Sequence, residues 1–356
     1  MPLSLGEPAP WFTAPTPSNP AFVFDTAAGR YVLLVFLPKD DVAAAADALR
    51  IIALQRAQFD DERVSAFVVV RDPSTAASAQ DMRGLRWFLD QDGAVSRLYG
   101  ALGADGTEYP MWLLLDPALR VMGRVQLSSA KMLFDTLVRL RPPSEHAGVP
   151  LHAPVLVVPR VFEPELCERL IGLHQADGGT FTGVMRDDGE RTVAVMDELK
   201  KRRDILVEDA DLRALLRERL ERRLFPMIER GLGFAVTEVE RYVVSCYDAA
   251  DSAVFHAHRD TTTFGTAHRR FACSINLNAG FEGGDLRFPE YGRRTYRPPL
   301  GGAVVFSCDM LHEVAPVTAG RRYAFLPFFY DAAAAQVLDA YRKRVGESAM
   351  PTEPAA

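Results

Sequence analysis

From Val236 onward the chain changes its rhythm, and that change limits the folds open to it. Short β-branched and aromatic runs follow one another at Glu238 to Tyr247, Val254 to Arg259, Phe271 to Asn278, Asp285 to Phe288, Arg293 to Arg297, Ala303 to Ser307 and Tyr323 to Tyr330. Glycine and proline separate them at Gly283-Gly284, Pro298-Pro299 and Gly301-Gly302. About eight short strands with tight turns and no intervening helix predict a sandwich or jelly roll. The interior of a jelly roll can enclose a site for a small ligand.

The first half reads differently. Tyr31 to Leu37 is a continuous apolar run closed by Pro38, as suits a strand buried on both faces. Asp40 and Asp41 precede an alanine-rich run to Phe59, a helix with acidic residues at its positive end. Val64 to Val70 and Met111 to Leu115 are further strands, Val121 to Val125 pairs with the latter across Asp116-Pro117, and Lys131 to Leu140 is a closing helix. Strands alternating with helices predict an α/β domain with a largely parallel central sheet.

A chain of 356 residues is long for one core, and two domains are the natural division. The proline-rich, unpatterned stretch Arg141 to Pro150 marks the junction. The expected organisation is a domain over 1–145, a linker over 146–153, a second domain over 154–345 and a flexible tail over 346–356. In the second domain a strand at Pro154 to Val158, an amphipathic helix at Glu163 to Gln175 and a long helical pattern at Leu212 to Leu232 precede the strands. Together they predict an α+β domain, a jelly roll with flanking helices. His174 reads as a satisfied histidine on its helix, and Lys200-Lys-Arg-Arg-Asp204 as a solvent-exposed basic cluster.

With 48% apolar residues, 25% charged residues and a net charge of −6, nothing supports a nucleic-acid or anionic-membrane partner. No apolar run has the length of a membrane span, and MPLSLGEPAPWF lacks a signal-peptide pattern, so a cytoplasmic location is expected. The four cysteines form no Cys-x-x-Cys pair and read as buried small hydrophobes.

The chemistry concentrates in His258-Arg259-Asp260, His312 and Arg321-Arg322. On a strand, residues i and i+2 share a face, so His258 and Asp260 can point inward together; His256 shares that parity and stands as a rival ligand. His312 follows the apolar strand Ala303 to Cys308. Two imidazoles and one carboxylate with an open face suit a mid-row divalent metal, Fe(II) in particular. A guanidinium downstream suits a carboxylate ligand at that metal. Arg321 and Arg322 face opposite ways on a strand, and only one should reach it.

The string His312-Glu-Val-Ala-Pro-Val-Thr-Ala-Gly-Arg-Arg322-Tyr, with His258-x-Asp260, Cys246-Tyr247 and Gly283-Gly-Asp-Leu-Arg-Phe288, resembles the prolyl 4-hydroxylase-like branch of the Fe(II)/2-oxoglutarate-dependent oxygenases. The resemblance covers residues 153–331 and implies a double-stranded β-helix. It also implies that His258, Asp260 and His312 bind Fe(II) as the catalytic centre. Arg322, at the tenth place after His312, would pair with the distal carboxylate of 2-oxoglutarate, with Arg321 as the competing choice. Tyr247 matches a tyrosine that helps to hold the co-substrate, or is a core tyrosine. Asn276 falls where some relatives carry another co-substrate tyrosine, and its amide could donate instead. O2 is the second co-substrate, and the implied activity hydroxylates a small-molecule, amino-acid or peptidyl substrate with release of succinate and CO2. Related halogenases lack the carboxylate ligand, so Asp260 favours hydroxylation. A metal- and 2-oxoglutarate-binding sensor without turnover is the alternative. His268-Arg269-Arg270, Arg287, Arg293, Arg294 and Arg297 read either as a basic rim for an anionic substrate or as solvated strand edges.

The first half resembles the peroxiredoxin branch of the thioredoxin superfamily in Leu5 to Phe12, Val32 to Pro38, Asp92-Gly93 to Tyr99-Gly100 and Tyr109-Pro110. The resemblance implies a cis-proline at Pro110. The nucleophilic cysteine of that family would lie near Ala45, with a threonine near Val42, yet residues 1–150 contain no cysteine. Peroxide reduction needs a thiolate, so this domain is expected to be a structural or docking module, the surface on which a protein partner or a homodimer would form.

Overall fold

A computed structural model describes residues 3–346; the tail expected at 346–356 lies outside them except for Gly346. The chain divides into two compact units, Met1–Ala153 with Pro289–Arg293, and Pro154–Phe288 with Arg294–Ala356.

The first unit is built on a five-stranded sheet in the order Leu85–Leu89, Val64–Val70, Tyr31–Phe36, Met111–Leu115, Val121–Gln126. Every residue of Tyr31–Phe36 and Val64–Val70 is buried: the helices Val42–Leu54 and Ala130–Arg139 pack on the face of Tyr31, Leu33 and Val35, and a ring cluster of Phe12, Phe24, Phe67, Phe88 and Tyr99 covers the other. These strands pair in parallel, Tyr31 opposite Val64, whereas Met111–Leu115 pairs antiparallel with both of its neighbours. The sheet is therefore mixed rather than largely parallel. The turn at Asp116 is too short for the crossover that a parallel connection requires. The helix Val42–Leu54 is capped by Asp41, whose carboxylate accepts from the Ala44 N–H at 2.9 Å. It turns Ala45, Ala48 and Ile52 inward. The position expected for a nucleophile is thus a buried alanine methyl. None of the described peptide bonds is cis, so Pro110 does not follow the resemblance: it enters the Met111–Leu115 strand through the trans bond that is the default for X-Pro.

The second unit pairs a ten-stranded and a five-stranded antiparallel sheet. Central in the larger sheet are Val243–Asp248, Val317–Phe325 and Phe271–Asn276. The smaller runs Lys200–Lys201, Val254–His258, His312–Val314, Leu286–Arg287, Thr295–Tyr296. Alternation sorts the larger sheet's residues: Val244, Cys246, Cys273, Ile275, Tyr323 and Phe325 share a core with Leu170, Leu216, Leu220 and Ile228 of the helices. The intervening residues Ser245, Tyr247, Ser274, Asn276 and Arg322 project to the other face, which is where the site forms. The helical pattern expected over 212–232 divides into Ala210–Arg223 and Phe225–Leu232. Pro226 sits in the first turn of the second helix; in a continuous helix its ring would clash with the preceding turn. Among the described residues no helix is long and apolar enough to cross a membrane.

Candidate metal centre

His258 ends its strand and His312 begins the neighbouring one, and the ladder sets the two opposite each other. A β-bulge lies between the Phe255–Val314 pair and this one. Their rings stand 4.2 Å apart between centroids. Asp260 reaches both, with Oδ1 3.7 Å from Nε2 of His258 and Oδ2 3.4 Å from Nε2 of His312. The three ligand atoms lie within 4.8 Å of one another.

The backbone fixes which nitrogen each ring presents. Nδ1 of His258 lies 2.7 Å from the carbonyl of His256, and Nδ1 of His312 lies 3.0 Å from the carbonyl of Met310. A carbonyl only accepts, so each Nδ1 carries the proton and each Nε2 offers its lone pair towards Asp260. Burial, and then the adjacent His312 imidazole, hold His258 down to about 3, so its ring is neutral at physiological pH. Burial alone would raise the Asp260 carboxyl, but His312 and His258 more than offset it and leave it below the ordinary carboxylate value. The trio thus presents two imidazole nitrogens and one carboxylate, the donor set of a divalent cation. His256 is exposed and stands outside the trio.

Arg322 is 2% exposed and pairs across the ladder with Tyr247. Its Nε donates to Oδ1 of Asn276 at 3.2 Å and its Nη2 to Oγ of Ser274 at 2.7 Å. Nη1 is buried without a hydrogen-bond partner among the described residues, on a side chain that lines the same pocket as His258, Asp260 and His312. Such an orphaned donor is what a carboxylate would complete. Burial lowers this guanidinium below its ordinary value. Arg321 points outward and pairs with Asp248 at 2.6 Å. Asn276 is not among the described residues that line the pocket: its Oδ1 accepts from the Arg322 guanidinium and one N–H of its amide donates to the carbonyl of Pro298 at 2.9 Å, so it orients the guanidinium. Tyr247 lines the pocket. Gly284, at φ 68°, makes room for Arg322, since a Cβ there would meet Cδ of Arg322 at 3.1 Å and Cγ2 of Val317 at 2.9 Å.

One pocket residue, Arg202, lay inside the cluster expected to be solvated. Lys200, Arg202 and Asp204 are all buried. Arg202 bonds Asp204 at 3.0 Å and donates through Nη1 to the Tyr247 hydroxyl at 3.1 Å. Asp204 also accepts from Ser245 at 2.5 Å; burial would raise its carboxyl, but Arg202 and Lys200 hold it well below its ordinary value. The clue was the alternation of positions 200, 202 and 204, that of an extended segment with one side inside, which the structure divides between Lys200–Lys201 of the smaller sheet and Arg203–Leu206 of the larger. His268 and Arg269, read as rim or edge, are likewise internal, held by Glu240 at 2.8 and 2.5 Å. Arg297 and Arg287 are partly exposed and paired with Asp285 and Glu313; Arg287 is on an inner strand of the smaller sheet, between Glu313 and Thr295.

The chain thus combines a jelly-roll unit that holds a candidate metal site with a separate thioredoxin-like unit whose sequence has no cysteine. Residues 242–330 match the 2OG-Fe(II) oxygenase superfamily, and residues 5–123 match the AhpC/TSA family. The chain is therefore similar to the first family over residues 242–330 and to the second over residues 5–123, where it has no cysteine to serve as nucleophile. A PKHD-type hydroxylase of Synechococcus sp. (strain JA-2-3B'a(2-13)) is 26% identical over 122 residues, 31% of this chain and 54% of that protein. A PKHD-type hydroxylase of Stenotrophomonas maltophilia (strain K279a) is 28% identical over 146 residues, 38% of this chain and 64% of that protein. The chain thus spans little more than half the length of the curated relatives it matches. A Pseudomonas putida prolyl-4-hydroxylase structure is similar at a TM-score of 0.38 and 18% identity, covering 50% of this chain and 92% of that one. The oxygenase family implies Fe(II), 2-oxoglutarate and O2, and the donor set and the orphaned Nη1 of Arg322 fit the first two.

Proposed function

We propose that the chain is an Fe(II)- and 2-oxoglutarate-dependent oxygenase that hydroxylates an unactivated C–H bond of an amino-acid, peptidyl or small-molecule substrate. The observation that carries this is the convergence of two Nε2 atoms and one carboxylate, with both Nδ1 atoms tied to the backbone. His258, Asp260 and His312 would hold the metal. When bound, Fe(II) with 2-oxoglutarate and O2 supplies the oxidation: one oxygen atom enters the substrate as hydroxyl and the other the succinate formed as CO2 leaves.

The protein's own residues orient and shield. Arg322 would receive the distal carboxylate of 2-oxoglutarate, its plane fixed by Asn276 and Ser274. Tyr247 accepts a hydrogen bond from Arg202, so its own O–H remains to donate towards the co-substrate. Phe255 stacks on His258 with centroids 3.5 Å apart and Phe306 covers His312 at 4.6 Å, excluding water from the ligands' flanks.

Succinate formation by the purified full chain tests this, together with metal content. His258→Ala, Asp260→Ala and His312→Ala should each abolish succinate and lower bound Fe(II) well below one per chain; undiminished turnover in any of them overturns the ligand assignment. Tight Fe(II) and 2-oxoglutarate binding without any succinate, even in a cell extract, would instead favour a sensor. Untargeted mass spectrometry of that extract for a product heavier by one oxygen identifies the substrate.

A further inference from the structure

Resting on the reading of the trio as a metal centre, one of its three ligands is placed by something other than the sheet. His258 and His312 face each other in the ladder, but the strand Val254–His258 ends there. Asp260 stands two residues beyond that end, in the connection that follows. The ladder therefore sets the two imidazoles against each other and leaves the carboxylate to local bonds. A ligand constellation has to be held to within about 0.5 Å, which a connection without cross-bonds does not achieve.

Three such bonds run to one place. The N–H of Asp260 donates to the carbonyl of Cys308 at 2.9 Å. On one side of it the guanidinium of Arg259 donates through Nη1 to the carbonyl of Asp309. On the other side the hydroxyl of Thr261 donates to Oδ1 of Asp309 at 2.5 Å. Arg259 is 7% exposed, and burying a guanidinium is costly unless it is hydrogen-bonded. The side-chain bonds join segments 50 and 48 residues apart in sequence.

Cys308 and Asp309 belong to the turn that leads into His312. That turn closes on Ser307, whose carbonyl accepts from the Met310 N–H at 3.0 Å and whose Oγ accepts from the Asp309 N–H at 3.2 Å. The carbonyl of Met310 in turn holds Nδ1 of His312 at 3.0 Å. The turn that orients His312 is thus also the anchor of the segment that carries Asp260.

We propose that Arg259, Thr261 and Asp309 are positioning residues of the metal centre, a clasp that sets Asp260 at its working distance from His312. The residue between the ligands of His258-Arg259-Asp260 is then more than a spacer: its side chain crosses to the turn that bears the third ligand. None of the three is itself in the ligand group.

The test is anaerobic titration of Co(II), a coloured stand-in for Fe(II), into the metal-free full chain, followed by visible absorption. The melting temperature of each metal-free variant is measured alongside. Thr261→Val keeps the shape and removes the donor, and Asp309→Ala removes the acceptor; each should weaken Co(II) about fivefold or more and alter its absorption bands. Both remove the same bond, so the double variant should bind about as well as either single one. Asp309→Asn keeps Oδ1 and should bind within about twofold of the native chain. Arg259→Met breaks the buried arm and should weaken Co(II) about tenfold or more. A lowered melting temperature with unchanged Co(II) affinity and spectrum would mark bonds that serve stability only, and overturns the proposal. Asp309→Asn binding as poorly as Asp309→Ala, or losses that add in the double variant, overturn it too. Should Arg259→Met fail to fold, the variants at 261 and 309 decide the matter. A native chain that takes up no Co(II) refutes the metal centre together with the clasp, whereas variants that bind it as well as a competent native chain refute the clasp alone.

Discussion

Replacing Arg322 by Met keeps the bulk of the side chain and removes the donors. In the structure this guanidinium already spends two nitrogens on Asn276 and Ser274 and leaves Nη1 unpartnered. A carboxylate meeting it would gain a charge-assisted bond to Nη1 and share Nη2, each worth about 1.5–3 kcal/mol. Losing both would weaken 2-oxoglutarate by roughly 3–6 kcal/mol, a factor of about 10² to 10⁴ in affinity. Arg322→Lys should recover only part of it, since an ammonium restores the charge without the planar fork. Arg321→Met is the matched control: its side chain is 58% exposed and pairs with Asp248, so the affinity should change less than about twofold. Calorimetric titration of 2-oxoglutarate into the Fe(II)-loaded protein without oxygen reads all three. If Arg321→Met costs as much as Arg322→Met, the strand's register is wrong and the assignment of Arg322 fails with it.

Gly284→Ala should weaken 2-oxoglutarate as well, although residue 284 touches no ligand, because its methyl would press on Cδ of Arg322; unchanged affinity would show that Arg322 can shift freely. Glu240→Gln leaves the buried Arg269 without its carboxylate and should cost about 3–5 kcal/mol, lowering the melting temperature by roughly 10 °C, as differential scanning calorimetry can check. The metal-free protein should lose stability as pH falls from about 6.5 towards 3. His258 has a folded value of about 3, so the unfolded chain takes up that proton first, and this group contributes at most about 1.4 kcal/mol per pH unit. Urea titrations at several pH values would show this slope, and His258→Gln should flatten it.

Much of this was legible in the sequence because it depends on local parity. The run Tyr31 to Phe36 is apolar throughout and is buried throughout. The separation of His258 and Asp260 by one residue puts both in the same group, and the inward turn of Arg322 excludes Arg321. What escaped depends on partners far along the chain. Arg202 looks like one charge in a solvated cluster until Tyr247 is seen to stand 3.1 Å away. Arg269, between two strands, is internal because Glu240 of the strand Glu238–Glu240 meets it. The mixed direction of the first sheet follows from a turn length that the strand pattern does not weigh, and the break at Leu224 was hidden by leucines that keep helical spacing on both sides of it.

The bulge ahead of His258 carries a consequence of its own. Between their two pairings, one strand spends two residues, His256 and Ala257, where its neighbour spends only Glu313. An unbulged ladder of the same sequence would set Ala257, not His258, against His312. The bulge therefore decides which residue of the run meets His312, and the register depends on the spacing rather than on the side chain at 257. Ala257→Ser should leave Fe(II) binding nearly intact, as metal analysis of the purified variant can check. A slip of the ladder by one residue, with all three side chains still in the sequence, would be enough to pull the trio apart.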